Sequence, residues 1–371
     1  MPQNTGTAIL RVPGIGDSAD VTLTVGFDGL IYGWPPGGIA TYQTHLMAAL
    51  AEDAGINVAF AGGYGGAGPP GVTLRFLGRT RMAFAANMAR AAFWKSDVHH
   101  LTGFWRPPFL NAKASVLTVH DMIPERWGAQ FPGIAGAHYA KAKLAARADA
   151  VIVPSEATRR DVLELLKLPE DRVFVTPEAA APRRPAPGRW FVKNAGRYVL
   201  IVGRRGHYKN VVPMLPAIGR ALSGDGALML VLAGGGPLTG EERAVLDAAG
   251  LGGRTAQTQL TDDELAAAYA HAICLIAPSL AEGFGLTVLE AMQNGAPVLA
   301  SDIPAHRETA GEAVLWFDPE RGEALEAALA KALADAAMRD SLRVAGAKRA
   351  AGYSWRATAA ATANVYRHVA R

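Results

Sequence analysis

A single cysteine in 371 residues leaves no intramolecular disulfide to brace the fold. That residue, Cys274, sits in the apolar run Ala272-Ile-Cys-Leu-Ile-Ala277 and reads as a buried strand residue, in keeping with a reducing compartment. Long apolar stretches are missing as well. A run such as Tyr198-Val-Leu-Ile-Val202 has the length of a strand, far short of the roughly 20 residues a membrane-crossing helix needs. The first residues carry no basic region leading into an apolar one, so no secretory signal is expected. No His, Cys and Asp cluster has metal-ligand spacing, which predicts neither a metal nor a bound cofactor. Val25-Gly-Phe-Asp-Gly-Leu-Ile-Tyr-Gly-Trp34 does not supply the Gly-x-Gly-x-x-Gly turn of a nicotinamide dehydrogenase. Charge is sparse too: 19% of residues are charged against 50% hydrophobic, a balance that excludes disorder and provides a large core. The net charge of +4 permits anionic partners without choosing among nucleic acid, anionic lipid and phosphorylated ligands.

What the chain does have is alternation. Short β-branched runs over 21–27, 57–61, 98–102, 114–120 and 150–154 read as strands. Between them, 38–54, 79–94, 134–147 and 155–168 have helical apolar spacing, with Ser155 placed as an N-cap. Three prolines and two arginines in Ala179-Ala-Ala-Pro-Arg-Arg-Pro-Ala-Pro-Gly188 break the pattern as a linker would. The alternation then restarts, with strands at 198–202, 228–233, 254–257, 273–277 and 297–300 and helices at 210–222, 240–249, 262–271 and 286–294. Repeated strand–helix units predict an α/β protein of parallel sheets covered by helices. The expected division is an N-terminal Rossmann-like domain over 1–181, a linker over 182–196, a second domain over 197–353 and a helix over 354–371 that returns to the first domain.

In such sheets ligands gather at the carboxyl ends of the strands, and the candidate motifs all lie there. Gly203-Arg-Arg-Gly-His-Tyr-Lys-Asn210 follows a strand and precedes a helix, and its turn allows the heads of Arg204 and Lys209 to converge on a diphosphate. Gly234-Gly-Gly-Pro237 serves equally as a tight turn or as a close approach to a ligand. Ser279-Leu-Ala-Glu-Gly-Phe-Gly285 opens the next helix, with Glu282 just before it and Glu290 about one turn inside. The free N–H groups near Phe284, Gly285 and Leu286 suit a sugar oxygen or a phosphate, and the carboxylates suit sugar and ribose hydroxyls.

The chain resembles the family 4 glycosyltransferases, retaining enzymes of the GT-B architecture. The resemblance rests on Val202-Gly-Arg204 with Lys209-Asn210, Ile276-Ala-Pro-Ser279, Glu282-Gly-Phe-Gly-Leu-Thr-Val-Leu-Glu-Ala-Met292 and Gly295-Ala-Pro-Val298. It continues through Ser301-Asp-Ile-Pro-Ala-His-Arg-Glu308 and Phe317-Asp-Pro319, and more thinly through Gly37-Gly-Ile-Ala-Thr-Tyr42 and Thr118-Val-His-Asp-Met-Ile-Pro124. It implies two facing Rossmann-like domains with a cleft between them. It implies that Arg204 and Lys209 hold the donor diphosphate, that Glu282 binds donor sugar hydroxyls, and that Glu290 holds the ribose. Gly283, Phe284, Gly285 and Leu286 would line the donor site. Gly37 and Gly38 would form the loop facing the diphosphate, and His120 would stand near the donor sugar. Many relatives read Pro-Asn-Gly where this chain reads Thr176-Pro-Glu-Ala-Ala180, and Glu178 receives no role from the resemblance; Glu308 stands where the family often has a glutamate, either supporting the loop or contacting ligand.

The implied activity is metal-independent, retaining transfer of a hexose from a nucleotide-sugar. GDP-mannose or a related GDP-sugar is favoured and a UDP-sugar comes next. The acceptor would be a saccharide or lipid-linked saccharide in polysaccharide, lipopolysaccharide or glycolipid assembly. No nucleic-acid partner is expected. A sugar-nucleotide epimerase and a non-catalytic sugar-nucleotide-binding protein are the alternatives. Arg75, Arg79, Arg81, Arg90 and Lys95 among Phe76, Leu77, Met82, Phe84, Phe93 and Trp94 suggest a basic amphipathic helix, either with an ordinary solvent face or resting on an anionic membrane. The expected location is therefore cytoplasmic, with peripheral membrane contact as an option.

Overall fold

The computed structural model describes residues 22–28, 37–53, 55–64, 73–78, 95–104, 111–130, 139–181 and 197–371. The chain divides into two compact units: Met1–Ala179 with Tyr353–Arg371, and Ala180–Gly352. The expected linker at 182–196 and the expected helix at 79–94 lie outside the described residues.

The first unit is built on strands β1 (Leu23–Asp28), β2 (Ile56–Tyr64), β3 (Thr73–Gly78), β4 (Lys95–Leu101), β5 (Asn111–Thr118), β6 (Ala150–Val153) and β7 (Val173–Val175). They form one sheet in the order β3-β2-β1-β4-β5-β6-β7, and the pairings are parallel. Ala150-Val-Ile-Val153 is buried at every residue, as a strand covered on both faces must be. The helix Gly38–Leu50 buries Tyr42, Leu46, Met47 and Leu50, a helical spacing that makes one core stripe. Against it packs the helix Trp355–Val369, whose Ala359, Ala363 and Tyr366 join the same core as Val25, Phe27 and Val116. Ser155 caps the helix Glu156–Leu166, its hydroxyl accepting from the Thr158 N–H at 3.0 Å.

The second unit carries β8 (Arg197–Val202), β9 (Leu228–Ala233), β10 (Thr255–Thr258), β11 (Cys274–Ala277), β12 (Val298–Ser301) and β13 (Leu315–Phe317). Their order is β10-β9-β8-β11-β12-β13, again parallel. The strand order reverses between β8 and β11, the topological switch point at which ligands of such sheets bind. Cys274 is fully buried at the start of β11, and burial pushes its thiol up to about 12. Several elements escaped the sequence pattern. β7 and β13 are three residues long, too short for a period to show. The helices Gly322–Ala334 and Ala336–Ala350 are rich in alanine, which marks neither a buried nor an exposed face. Arg75, Phe76 and Leu77 lie on β3, and Lys95 opens β4, so none of these four belongs to the amphipathic helix expected there. Among the described residues no helix is long and apolar enough to cross a membrane.

Two buried polar arrangements lock these units internally. In the first, His100 shares hydrogen bonds with the Tyr366 hydroxyl at 2.6 Å and the Thr118 hydroxyl at 2.7 Å, and Thr118 reaches the Tyr42 hydroxyl at 3.3 Å. This chain of groups ties β4 and β5 to both core helices. In the second, the guanidinium of Arg205 is paired with Glu242, Nε to Oε1 at 2.7 Å. It also donates to the carbonyls of Gly234 at 2.8 Å, Gly236 at 3.0 Å and Pro237 at 3.1 Å. A Cβ at Gly235, where φ is +72°, would lie 2.5 Å from Arg205 Nη1 and 2.8 Å from the Gly203 carbonyl oxygen, so the turn requires glycine there. Glu242 in turn completes a capping box with Thr239 at the start of the helix Gly240–Ala248.

Burial depresses both His99 and His100 to about 3, with repulsion from His99 and His120 adding to the effect on His100. The unfolded chain takes up a proton on each near 6.5, whereas the folded chain does not until about pH 3. Stability is therefore expected to fall as pH drops below 6.5, by about 2 kcal/mol per histidine at pH 5, measurable from urea midpoints. Arg205→Met is expected to cost about 3–5 kcal/mol by leaving the buried Glu242 unpaired, read as a lowered denaturation midpoint.

Candidate functional site

The residues at the end of β8 and β11 form a connected cluster within the second unit. After β8, Gly203 at φ +102° turns the chain, and its N–H donates to the Ala233 carbonyl at 2.8 Å. A short 3-10 turn, His207–Lys209, follows, closed by Asn210 in the left-handed region with its amide nitrogen on the Pro319 carbonyl at 2.8 Å. The loop after β11 is stitched to this turn by the Leu280 N–H on the Tyr208 carbonyl at 2.7 Å. Lys209 Nζ consequently meets Glu282 Oε1 at 2.7 Å, and the Ser279 hydroxyl donates to the same oxygen at 2.6 Å. Burial opposes ionisation of Glu282, but the charge of Lys209 and the two donated hydrogen bonds outweigh it and hold the carboxyl below its usual range.

The base of the cluster is equally well fixed. The Ser301 hydroxyl donates to the Ser279 carbonyl at 2.6 Å, and Ser301 also holds Nδ1 of the buried His306 at 3.1 Å. Burial holds His306 below its usual value despite the nearby Glu282 carboxylate, which favours a neutral imidazole beside the ion pair. The Thr309 hydroxyl donates to the Phe284 carbonyl, locking the strand-to-helix turn from beneath. Gly285 begins the helix Leu286–Gln293 with φ +100°, and a Cβ there would approach His306 Cδ2 to 2.9 Å. A side chain at this position is therefore opposed by both the backbone conformation and the imidazole. One turn into the helix, Glu290 accepts a hydrogen bond from the Tyr269 hydroxyl at 3.1 Å.

The expected site residues thus separate into three groups. Lys209, Glu282, Gly283, Phe284, Gly285, Leu286 and Glu290 fall on one loop-and-helix surface at the switch point, with Lys209 and Glu282 in direct contact. Arg204 is exposed and has no hydrogen-bond or ion-pair partner among the described residues; its neighbour Arg205 is the buried one, committed to Glu242 and the glycine turn. Gly37, Gly38 and His120 belong to the first unit. Gly37 is the extended residue preceding the helix Gly38–Leu50, and both glycines are exposed. His120 lies two residues beyond β5, its Nδ1 2.9 Å from Oε1 of the buried Glu178. Glu178, which had no role in the sequence reading, is thus the partner of a candidate site residue. Glu308 lies on the helix Pro304–Ala310, and its carbonyl accepts from Arg349 Nη2 at 2.5 Å.

Ser279, His306 and Tyr269 join the cluster without having been singled out. The first two sit inside quoted motifs, so the signal was present, but their partners are set by tertiary contact. Among the described residues no group of three or more His, Cys, Asp or Glu is arranged to hold a metal ion.

Comparison with known proteins places this geometry. Residues 187–349 match the family described as glycosyl transferases group 1, and residues 37–179 match the glycosyl transferase 4-like domain. The chain is 28% identical over 230 residues to an O-antigen chain mannosyltransferase B of Escherichia coli, a match covering 58% of this chain and 60% of that protein. It is 30% identical over 268 residues to the serotype-specific mannosyltransferase WbdA of Escherichia coli, covering 66% of this chain and 32% of WbdA. The chain therefore spans less than two thirds of the first of these relatives and about one third of the second. Among solved structures, a sucrose-phosphate synthase from Thermosynechococcus elongatus superimposes with a TM-score of 0.72 at 22% identity, over 93% of this chain and 98% of that one. HepE of Anabaena, solved with UDP and glucose, gives 0.69 at 14% identity over 93% and 100%. These structures share the α/β fold of two parallel sheets along nearly the whole chain. With both sheets in that order and both family matches covering the units that carry them, the chain belongs to the group 1, or family 4, glycosyltransferases.

Proposed function

We propose that this protein transfers a sugar from a nucleotide-sugar donor to a saccharide acceptor with retention of anomeric configuration. The observation that carries the reading is the contact of Lys209, Glu282 and Ser279 at the switch point of the second sheet. Both donors converge on Glu282 Oε1, which leaves Oε2 to accept a sugar hydroxyl. The ammonium of Lys209 is positioned by that carboxylate, and the exposed Arg204 five residues earlier is available to join it at a diphosphate. As the glycosidic bond to the phosphate breaks, negative charge grows on the departing oxygen; Lys209, already held by Glu282, stabilises it, and Arg204 adds a second cation. The same phosphate oxygen takes the proton of the attacking acceptor hydroxyl on the same face, so the protein supplies orientation and charge and no covalent nucleophile. Glu290, on the first turns of the helix and steadied by Tyr269, is suited to a ribose hydroxyl pair.

A GDP-linked mannose is the favoured donor because proteins named as mannosyltransferases recur among the curated relatives. A UDP-sugar is the second reading, favoured by the UDP bound in the HepE structures. A polysaccharide acceptor, lipid-linked or free, is supported by the relatives named as O-antigen chain mannosyltransferases. An enzyme of this kind would work in the cytoplasm, with or without peripheral contact at an anionic membrane.

A thermal-shift panel of GDP, UDP and ADP is expected to single out GDP; stabilisation by UDP alone would move the donor assignment to the second reading. Incubation with GDP-mannose and an oligosaccharide acceptor should release GDP and lengthen the acceptor. Interconversion of the sugar nucleotide with no acceptor product would instead mark an epimerase. Lys209→Ala is expected to slow transfer by about 10²–10³-fold with little change in nucleotide affinity, through loss of transition-state charge stabilisation. Glu290→Ala is expected to weaken nucleotide binding about tenfold, the effect of one lost hydrogen-bonded group of ~1.4 kcal/mol. Wild-type kinetics and binding in both variants would rule out these roles.

A further inference from the structure

His120 and Glu178 come from the ends of β5 and β7, on either side of β6, and meet at 2.9 Å between Nδ1 and Oε1. The two side chains are 15% and 5% exposed, so the contact is made largely away from water. Both backbones are held where they stand. The Val119 N–H donates to the Ile152 carbonyl at 2.8 Å immediately before His120. The Thr176 N–H donates to the Val153 carbonyl at 2.9 Å, and the Pro177 carbonyl accepts from the Thr358 hydroxyl at 2.7 Å, immediately before Glu178. The Tyr42 ring meets the His120 ring edge-on, with centroids 4.8 Å apart at 85°, and Tyr42 is itself held by Thr118. The imidazole is therefore confined on one edge by a carboxyl and on another by an aromatic ring. Its other nitrogen, Nε2, is buried and has no hydrogen-bond partner among the described residues.

A buried imidazole nitrogen without a partner costs free energy unless a ligand completes it. Which hydrogen bond that nitrogen makes is decided at the far side of the ring, because a carboxylate at Nδ1 accepts the Nδ1 proton and leaves Nε2 with its lone pair. We propose that Glu178 is a positioning residue that fixes His120 as the Nδ1–H tautomer, so that Nε2 accepts a hydrogen bond from a sugar hydroxyl of the bound substrate. The sugar as ligand rests on the transferase reading above; the tautomer rests only on the pair itself. This chain places a carboxylate directly after Pro177, and that residue gives its histidine a fixed orientation and a defined acceptor nitrogen. The carboxylate does not touch substrate in this scheme. It acts through the imidazole, by choosing which nitrogen holds the proton.

The test uses the full chain labelled with 15N-histidine, with the His120 signals identified as those lost in His120→Asn. The expected ring spectrum at neutral pH has a pyrrole-type Nδ1 and a pyridine-type Nε2. Glu178→Ala should shift the signal towards the opposite tautomer, and Glu178→Gln, which keeps an acceptor oxygen and the volume, should restore the original pattern. A His120 with Nε2 protonated in the wild-type chain, whether as the other tautomer or as an imidazolium, would overturn the proposal. None of these spectra depends on sugar transfer, so the pair is judged even if the donor assignment fails. In kinetic assays with the active donor, His120→Ala and Glu178→Ala should each reduce kcat/KM about tenfold, and the double variant should lose no more than either alone. Additive losses would show that Glu178 acts other than through His120 and would also overturn the proposal.

Discussion

Parallel strands deliver all their carboxyl ends to one edge of a sheet, and nearly everything notable in this protein follows from that constraint. It requires a helix or loop to return the chain after every strand, which gives the alternating pattern. It buries the strands on both faces, which is why β6 and β11 are apolar from end to end. It also collects the turns at one edge, so residues far apart in the sequence become neighbours. Lys209 and Glu282 are 73 positions apart and share a hydrogen bond because β8 and β11 are adjacent in the sheet. His120 and Glu178 are 58 apart and meet for the same reason around β6.

The two edges hold their polar groups in contrasting ways. In the second unit a cation, a carboxylate and a hydroxyl form a charged set resting on an imidazole whose protonation burial opposes. The supports beneath it, Ser301 and Thr309, bond to backbone carbonyls and carry no charge. In the first unit the polar groups run inward, from Tyr42 through Thr118 and His100 to Tyr366, and mainly join secondary structure to secondary structure. His120 stands at the end of this region with one nitrogen committed and the other open. Both arrangements place a rigid frame behind a group that has capacity left for a ligand.

The fold was legible in the sequence wherever period and length coincide. The strands from β8 to β12 and their intervening helices emerge from apolar spacing alone, and Ser155 marked a helix start that the structure carries. Three-residue strands and alanine-rich helices were not legible, since neither offers enough contrast between faces. For the site, the motif residues and their placement at strand ends could be read, but their pairings could not. Nothing in the sequence says that Lys209 lies on Glu282 and that Arg205 is the arginine taken inward. Adjacent arginines have the same chemistry in a sequence; only the turn geometry sends one into the glycine loop and leaves the other in solvent. Glu178 was illegible for a similar reason, because its partner is supplied by another strand.

The position of Cys274 has a practical side. Its thiol is enclosed at the start of β11, between β8 and β12, and burial keeps it protonated, so neither reagent access nor thiolate is available in the folded unit. Alkylation of this residue would therefore report opening of the second sheet itself, giving a clock for that unit's unfolding. A cysteine introduced at an exposed loop would meanwhile carry a fluorophore or spin label without competition from the native thiol.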